Sequence, residues 1–265
     1  MSRPLYQLPD DVQPALGPDG HRGLWYDKFC DKWSEGWSMK ADKNFSPKLE
    51  WIHTVRGAAG LPHTLRAYAR RLFDLIEARG GEAILVTAQS RFVTGLGRSH
   101  PVENGFGWHP TLGTPYLPGS SLKGLIRAHT SELDMDAAAV KRLLGDPGQT
   151  GTVALLDAVP LGPVQLEADV LTPHYANWTV DDPPGDWRSP NPVPFLVAAP
   201  GWSMLCGIVP LRPACPGDLA MVKGWLESAL ADAGAGAKTA VGYGQFRLNK
   251  QDPTLANWRR ERCQR

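Results

Sequence analysis

What the chain lacks narrows the possibilities first. It has four cysteines in 265 residues (Cys30, Cys206, Cys215 and Cys263), with no C-x-x-C pair and no Cys/His cluster at zinc spacing. A disulfide framework and a metal site are therefore not expected, and the thiols read as buried side chains in a reducing cytosol. No apolar run approaches the ~18 residues of a membrane-spanning helix, so no membrane partner is expected. The opening stretch MSRPLYQLPDDVQPALGPDG has no apolar centre ahead of a small-residue cleavage site, which argues against a secretory signal. An excess of one charge is missing too: 28 basic and 27 acidic residues leave a net +1. A protein that grips nucleic acid alone over a broad face is usually far more basic. Near-neutrality disfavours a free-standing DNA or RNA binder and leaves room for a local basic groove inside an assembly.

Apolar residues at 42% suffice for a core, while 28 glycines and 24 prolines imply long ordered loops. Ten tryptophans supply aromatic surface for partners or for stacking on bases. Residues 1–22 read as an irregular extension, and from 23 to 51 Trp25, Trp33, Trp37 and Trp51 alternate with Lys and Asp, as in a packed arm. Pro62 opens a helix to about Arg79. Leu65, Tyr68, Leu72, Phe73 and Ile76 fall along one side, and Gly80-Gly81 is its left-handed stop.

A buried strand follows in EAILVTAQSRFVTG, then a loop over 95–119 with six glycines, too long for an idle connection. Ser120 or Ser121 is expected to cap a second helix whose apolar stripe is Leu122, Leu125, Ile126, His129 and Leu133. A short helical piece around 136–144 precedes two segments, 152–159 and 164–171, that read as a hairpin. Residues 172–194 are a polar, Pro-rich excursion. PFLVAA (194–199) and WSMLCGIVPL (202–211) read as a further hairpin about Pro200-Gly201. A helix from Asp218 to Ala233, with Leu219, Val222, Leu226 and Leu230 inward, leads through a glycine loop to the last strand, QFRL. Without its insertions this order is β-α-β-β-α-β, the ferredoxin-like α+β arrangement that RNA-recognition domains also use. The expected organisation is an N-terminal extension (1–81, with the Trp-rich arm and one helix), a core (82–250) and a polar, basic tail (251–265).

The loop is Gly234-Ala235-Gly236-Ala237-Lys238-Thr239-Ala240-Val241-Gly242-Tyr243-Gly244. Glycines let a main chain take positive φ and come close to a ligand, and successive amides can then face an anion. Lys238 adds a charge and Thr239 a hydroxyl. A nucleotide-binding P-loop fails here, because its spacing needs glycine where Asp232 and Ala237 stand, and because it runs from strand to helix rather than from helix to strand. The plainer alternative is a tight connection required only for packing.

Two Gly-x-Gly units around five residues, between the last helix and the last strand, resemble the signature of the RAMP superfamily of CRISPR systems. LPGSSLKGLIRAH (117–129) is similar to that family's entry into its first core helix, and TGLG (94–97) to the end of its first core strand. LTPHY (171–175) and GLWYDKF (23–29) resemble the sixth RAMP subunit of the Cmr, or type III-B, complexes. The resemblance implies a RAMP fold with long insertions. It also implies a subunit that caps the effector backbone at the guide RNA's 3′ region and helps hold the guide–target duplex. Implied partners are the guide and target RNA, the backbone RAMP subunit, the small helical subunit and the adjacent terminal RAMP subunit. Target cleavage is assigned in that family to the backbone RAMP, so neither catalytic residue nor cofactor is implied here.

Beside that reading, Ser120, Ser121, Lys123 and Arg127 stand at or near a helix N-terminus, whose free amides and dipole favour phosphate. Arg98 in the long loop is a further phosphate candidate, and the loop contributes Gly234, Gly236, Lys238, Thr239, Gly242 and Gly244. Histidine suits the metal-independent acid–base chemistry of RAMP processing nucleases. Only His174 in LTPHY stands out for it, and an RNA-contacting or structural role is expected there instead. The acids of DMD (134–136) and VDDPP (180–184) read as a cap and a turn rather than as a two-metal site. Three functions stay open at this point: an RNA-gripping subunit, a guide-processing endoribonuclease, and a protein-only adaptor.

Overall fold

The computed structural model describes residues 15–40, 46–173, 190–212, 215 and 217–264. His174, Tyr175, Trp178, Trp187 and VDDPP lie outside them, as does the first part of the extension. The elements in chain order are α1 (Arg22–Lys28), α2 (Pro47–Val55), β1 (Gly57–Ala59), α3 (Pro62–Ala78), β2 (Glu82–Ala88), α4 (Gly119–Glu132) and α5 (Ala137–Leu144). They continue with the short strands β3 (Gly145–Asp146), β4 (Gln149–Thr150), β5 (Val153–Leu155) and β6 (Val159–Pro160), then β7 (Val164–Leu171), β8 (Val193–Ala198) and β9 (Ser203–Pro210). Last come α6 (Asp218–Asp232), a 3-10 turn (Thr239–Val241), β10 (Phe246–Leu248) and α7 (Thr254–Cys263).

The central sheet has the order β10-β2-β9-β5, with β6 also on β9, and every pairing is antiparallel. Alternation along β2 sends Ala83 and Leu85 to one face and Ile84, Val86 and Ala88 to the other, and both sets are buried. Helices α4 and α6 cover the second face through Leu122, Ile126, Val222 and Leu226. Helices α3 and α7 cover the first through Leu65, Phe73, Ile76 and Trp258. A second sheet, β1-β7-β8, is also antiparallel and packs under α2. The chain is thus a mixed α and β protein with antiparallel sheets.

Helix α3 follows its apolar spacing and closes with two reverse bonds. The amide of Gly80 (φ 64°) donates to Glu77 O, and that of Gly81 to Ile76 O. Several expectations need correction. Residues 152–159 and 164–171 do not pair: β5 and β6 lie on β9, whereas β7 joins β1 and β8. The chain breaks between β5 and β6 because the Asp157 carboxylate accepts from Gly119 N, the first amide of α4, at 2.7 Å. Asp157 therefore does the capping expected of Ser120 or Ser121. Those serines sit inside α4, whose N-cap is Pro118 with no side-chain bond. Leu133 lies at the C-cap and is exposed rather than in the stripe.

Segments 194–199 and 202–211 turn at Pro200-Gly201 but part into different sheets, since each is buried on both faces and needs its own cover. The arm contains α1 and α2, so the described residues up to 81 hold three helices rather than one. The polar tail folds as α7 because Trp258, 3% exposed, docks on Phe73 with ring centroids 5.4 Å apart.

Candidate functional site

The glycine loop is built by its own packing. Ala235 N donates to Gly244 O, Gly244 N to Arg91 O, and Ala237 N to Val93 O, which stitches the loop to the chain following β2. A Cβ on Gly244 would stand 1.9 Å from Ala235 O, and one on Gly236 2.3 Å from Val93 O. Both positions also have positive φ, 73° and 93°. These two glycines are required by close main-chain contact inside the protein. A Cβ on Gly234 (φ 72°) would stand 3.1 Å from Gly244 O, while one on Gly242 (φ 91°) would face open space, so Gly242 is needed only for its turn. The loop thus holds up a rigid tip, on which Thr239–Val241 forms a 3-10 turn and Val241 is exposed.

Between the loop, the TGLG turn and α4 lies an open cleft of about 580 Å³. It brings together Ser121, Gly234, Gly236 and Thr239 of the candidates. The hydroxyls of Thr94, Ser121 and Thr239 line it and make no hydrogen bond within the described residues. The amides of Gly236, Lys238 and Thr239 likewise take no main-chain partner there. Sequence reasoning missed Gly124, Ala128 and Glu132, which form the exposed α4 side of the cleft. Their signal is present in the sequence as Gly124 and Ala128 at helical spacing after Ser121, beside the more conspicuous charges of Lys123 and Arg127.

The remaining candidates stand apart. Lys238, held at φ 62°, points its ammonium to the other side of the loop, 5.7 Å from the Phe195 ring centroid. Close to that side, Arg91 Nη1 and the Tyr243 hydroxyl both donate to Asp169, at 2.9 and 2.6 Å. Lys123 is half-buried on α4 outside the cleft lining and pairs with no acid among the described residues. Arg127 turns to the far end of α4, where its guanidinium donates to Gly145 O and lines a separate pocket. Arg98 lines a third pocket with Lys28, Asp27 and Trp108, and burial raises the Asp27 carboxyl above its usual range. Ser120 is exposed on the first turn of α4 and outside the cleft.

His100, His109 and His129 are engaged in the fold, whereas His53 and His63 are exposed. His129 is buried between α4 and α6, with Nε2 2.7 Å from the Ser228 hydroxyl. His100 stacks on Tyr26 at 4.0 Å and bonds Tyr26 O through Nε2. His109 Nδ1 accepts from Leu112 N, and burial lowers its pKa. Among the described residues no three His, Cys or carboxylate side chains converge as a metal site needs, and no helix is long and apolar enough to cross a membrane.

Residues 85–193 match the model of the RAMP superfamily. The chain is similar to "CRISPR system Cmr subunit Cmr6" of Pyrococcus furiosus, at 27% identity over 60% of this chain and 65% of that protein. A Cmr6 of Saccharolobus solfataricus is 27% identical over 62% of this chain and 57% of that protein. The chain therefore spans less than two thirds of the length of these relatives. A chain in the cryo-EM structure of "the Type III-B Cmr-beta bound to cognate target RNA" shares the fold, with a TM-score of 0.63 over 80% of this chain and 78% of that one, at 24% identity. Over residues 85–193 the chain is thus similar to the RAMP superfamily, and in sequence it resembles Cmr6 subunits.

Proposed function

We propose that the chain is a non-catalytic, RNA-binding capping subunit of a type III-B CRISPR ribonucleoprotein acting in antiviral defence. In this reading it holds the 3′ region of the guide RNA and its target duplex. It contacts the backbone RAMP, the small helical subunit and the adjacent terminal RAMP. Residues 82–250 are its core, and 1–81 and 251–265 are appendages whose described parts pack on that core. The core is ferredoxin-like: β2, α4, β5, β9, α6 and β10 follow the β-α-β-β-α-β order, and the spatial order β10-β2-β9-β5 supports it.

One observation carries the reading. The glycine loop and α4 bound a single surface cleft with unpartnered hydroxyls and amides, and Lys123 and Lys238 adjoin its lining residues in the chain. The sheet face on which RNA-recognition domains stack bases is sealed here by α3 and α7, so the cleft side is the side left for RNA. No histidine lines the cleft among the described residues, and His100 and His129 are engaged in packing, which favours a holding role over acid–base cleavage there.

The test uses the full chain in its assembled complex. Lys123→Ala with Lys238→Ala is expected to weaken guide retention. If each lysine neutralises one phosphate, the slope of log affinity against log salt becomes shallower by about 1.4 in total for a single strand. Unchanged retention and slope in the double variant would remove the reading.

A further inference from the structure

We infer that the cleft seats the base and ribose of an unpaired RNA nucleotide, and that the phosphates stay outside it. The inference rests on the RNA-binding reading above and specifies its chemistry. The cleft contains neither lysine nor arginine, and its one charged lining residue is Glu132. A phosphate inside would sit beside a carboxylate with no counter-charge, in a half-enclosed space where such repulsion is poorly screened. A neutral group meets the opposite situation. The hydroxyls of Thr94, Ser121 and Thr239 and the amides of the loop offer donors and acceptors to the edge of a base or to a 2′-hydroxyl. Glu132 accepts N–H groups and repels phosphate.

Shape agrees with this chemistry. From Ser121 to Glu132 the α4 wall runs about 16 Å at the rise of a helix. Gly124 and Ala128 keep that wall low, so a flat ring can lie against it. Lys238 is outside, on the far side of the loop tip. The loop therefore separates a slot without cations from a cation, as a strand needs when its bases turn one way and its phosphates the other.

Gly124 gives a clean test, because a Cβ there meets nothing within 4 Å and a helix tolerates leucine better than glycine. The probes are a short single-stranded RNA and the same strand with abasic sites, titrated into the complex containing the full chain. Gly124→Leu is expected to weaken the base-bearing strand about tenfold, with the salt slope unchanged. The abasic strand should bind the wild type and the variant equally weakly. Ala128→Leu, one turn along the same wall, should reproduce the effect, and thermal melting should be unaltered in both.

A change of salt slope on filling the cleft would place a phosphate in it and overturn the inference. So would unchanged binding of both strands. Loss of subunit assembly with RNA binding intact would give the cleft to a protein segment and equally end the proposal. Failure of the lysine double variant above to affect RNA marks failure of the parent reading. A lysine effect without a Gly124→Leu effect marks failure of this one alone.

Discussion

The two faces of the central sheet are covered by helices of different character. On one side, α3 and α7 lie flat and are tied by ion pairs at their margins: Arg70 with Asp74 and Glu261, and Arg259 with Glu77 at 3.0 Å. Such exposed pairs add at most about 1 kcal/mol each. The hold comes from Trp258, Phe73, Leu65 and Ile76 beneath them. On the other side, α4 and α6 are joined through the His129–Ser228 contact, and α4 turns Ser121, Gly124, Ala128 and Glu132 outward beside the glycine loop. Ahead of Glu132, the serine, glycine and alanine of that outer wall have almost no side-chain bulk. Ion pairs also edge α6, Lys223 with Glu82 and Arg142 with Asp218, so what sets this side apart is the open cleft along α4.

The contrast predicts where substitutions hurt. Trp258→Ala should have the largest effect, about 3–5 kcal/mol, because it empties the contact between α7 and α3. Urea unfolding would measure it as a lowered midpoint, and a loss under about 1 kcal/mol would mean that α7 is not part of the cover. Filling the opposite wall at Ala128, which is exposed, should leave the midpoint within about 0.5 kcal/mol. Within the loop the same logic separates two glycines. Gly244→Ala meets Ala235 O at 1.9 Å and also needs φ 73°, so about 3 kcal/mol is expected. Gly242→Ala bears only the left-handed strain, about 1–2 kcal/mol, because its surroundings are open. Equal losses at both would show that the stitch to Arg91 and Val93 is not what holds the loop.

Local signals in the sequence carried well. The periodicity of α3 with its Gly80-Gly81 stop, the inward face of α6 and the two Gly-x-Gly units each depend on neighbours a few residues away. Strand partners did not carry, because pairing is decided across long separations. Segment 152–159 is as good a match for 164–171 as for 203–210, and the Asp157 carboxylate reaching Gly119 N decides between them. The site was legible as a loop and a helix but not as a surface. Chain position puts Lys238 beside Thr239, whereas the left-handed turn at Lys238 sends the two side chains to opposite sides. Trp258 was hidden for a further reason: one aromatic among arginines does not make an apolar stripe, yet it is enough to dock a short helix.

The smallest expected effect concerns how the N-terminal arm is fastened to the cleft-bearing half. His100 lies face to face with Tyr26, its Nε2 2.9 Å from Tyr26 O, while Nδ1 accepts from Val102 N at 3.2 Å. Nδ1 must be unprotonated to accept, and Nε2–H donates, so the neutral ring suits both bonds. Burial, the larger influence, lowers the His100 pKa below 6.5, against an opposing push from the bond to Tyr26 O. A folded pKa below the unfolded one means that the unfolded chain binds more protons as the pH drops. The contribution of His100 is then whole above about pH 6.5 and declines as the pH falls toward the folded pKa. His100→Gln keeps a donor and an acceptor but cannot titrate. Melting temperature followed from pH 7.5 to 5 should fall less steeply in that variant than in the wild type. Parallel curves would show that the arm is held by Trp51 and its stacked neighbour Trp25, 6.0 Å apart, without help from the histidine.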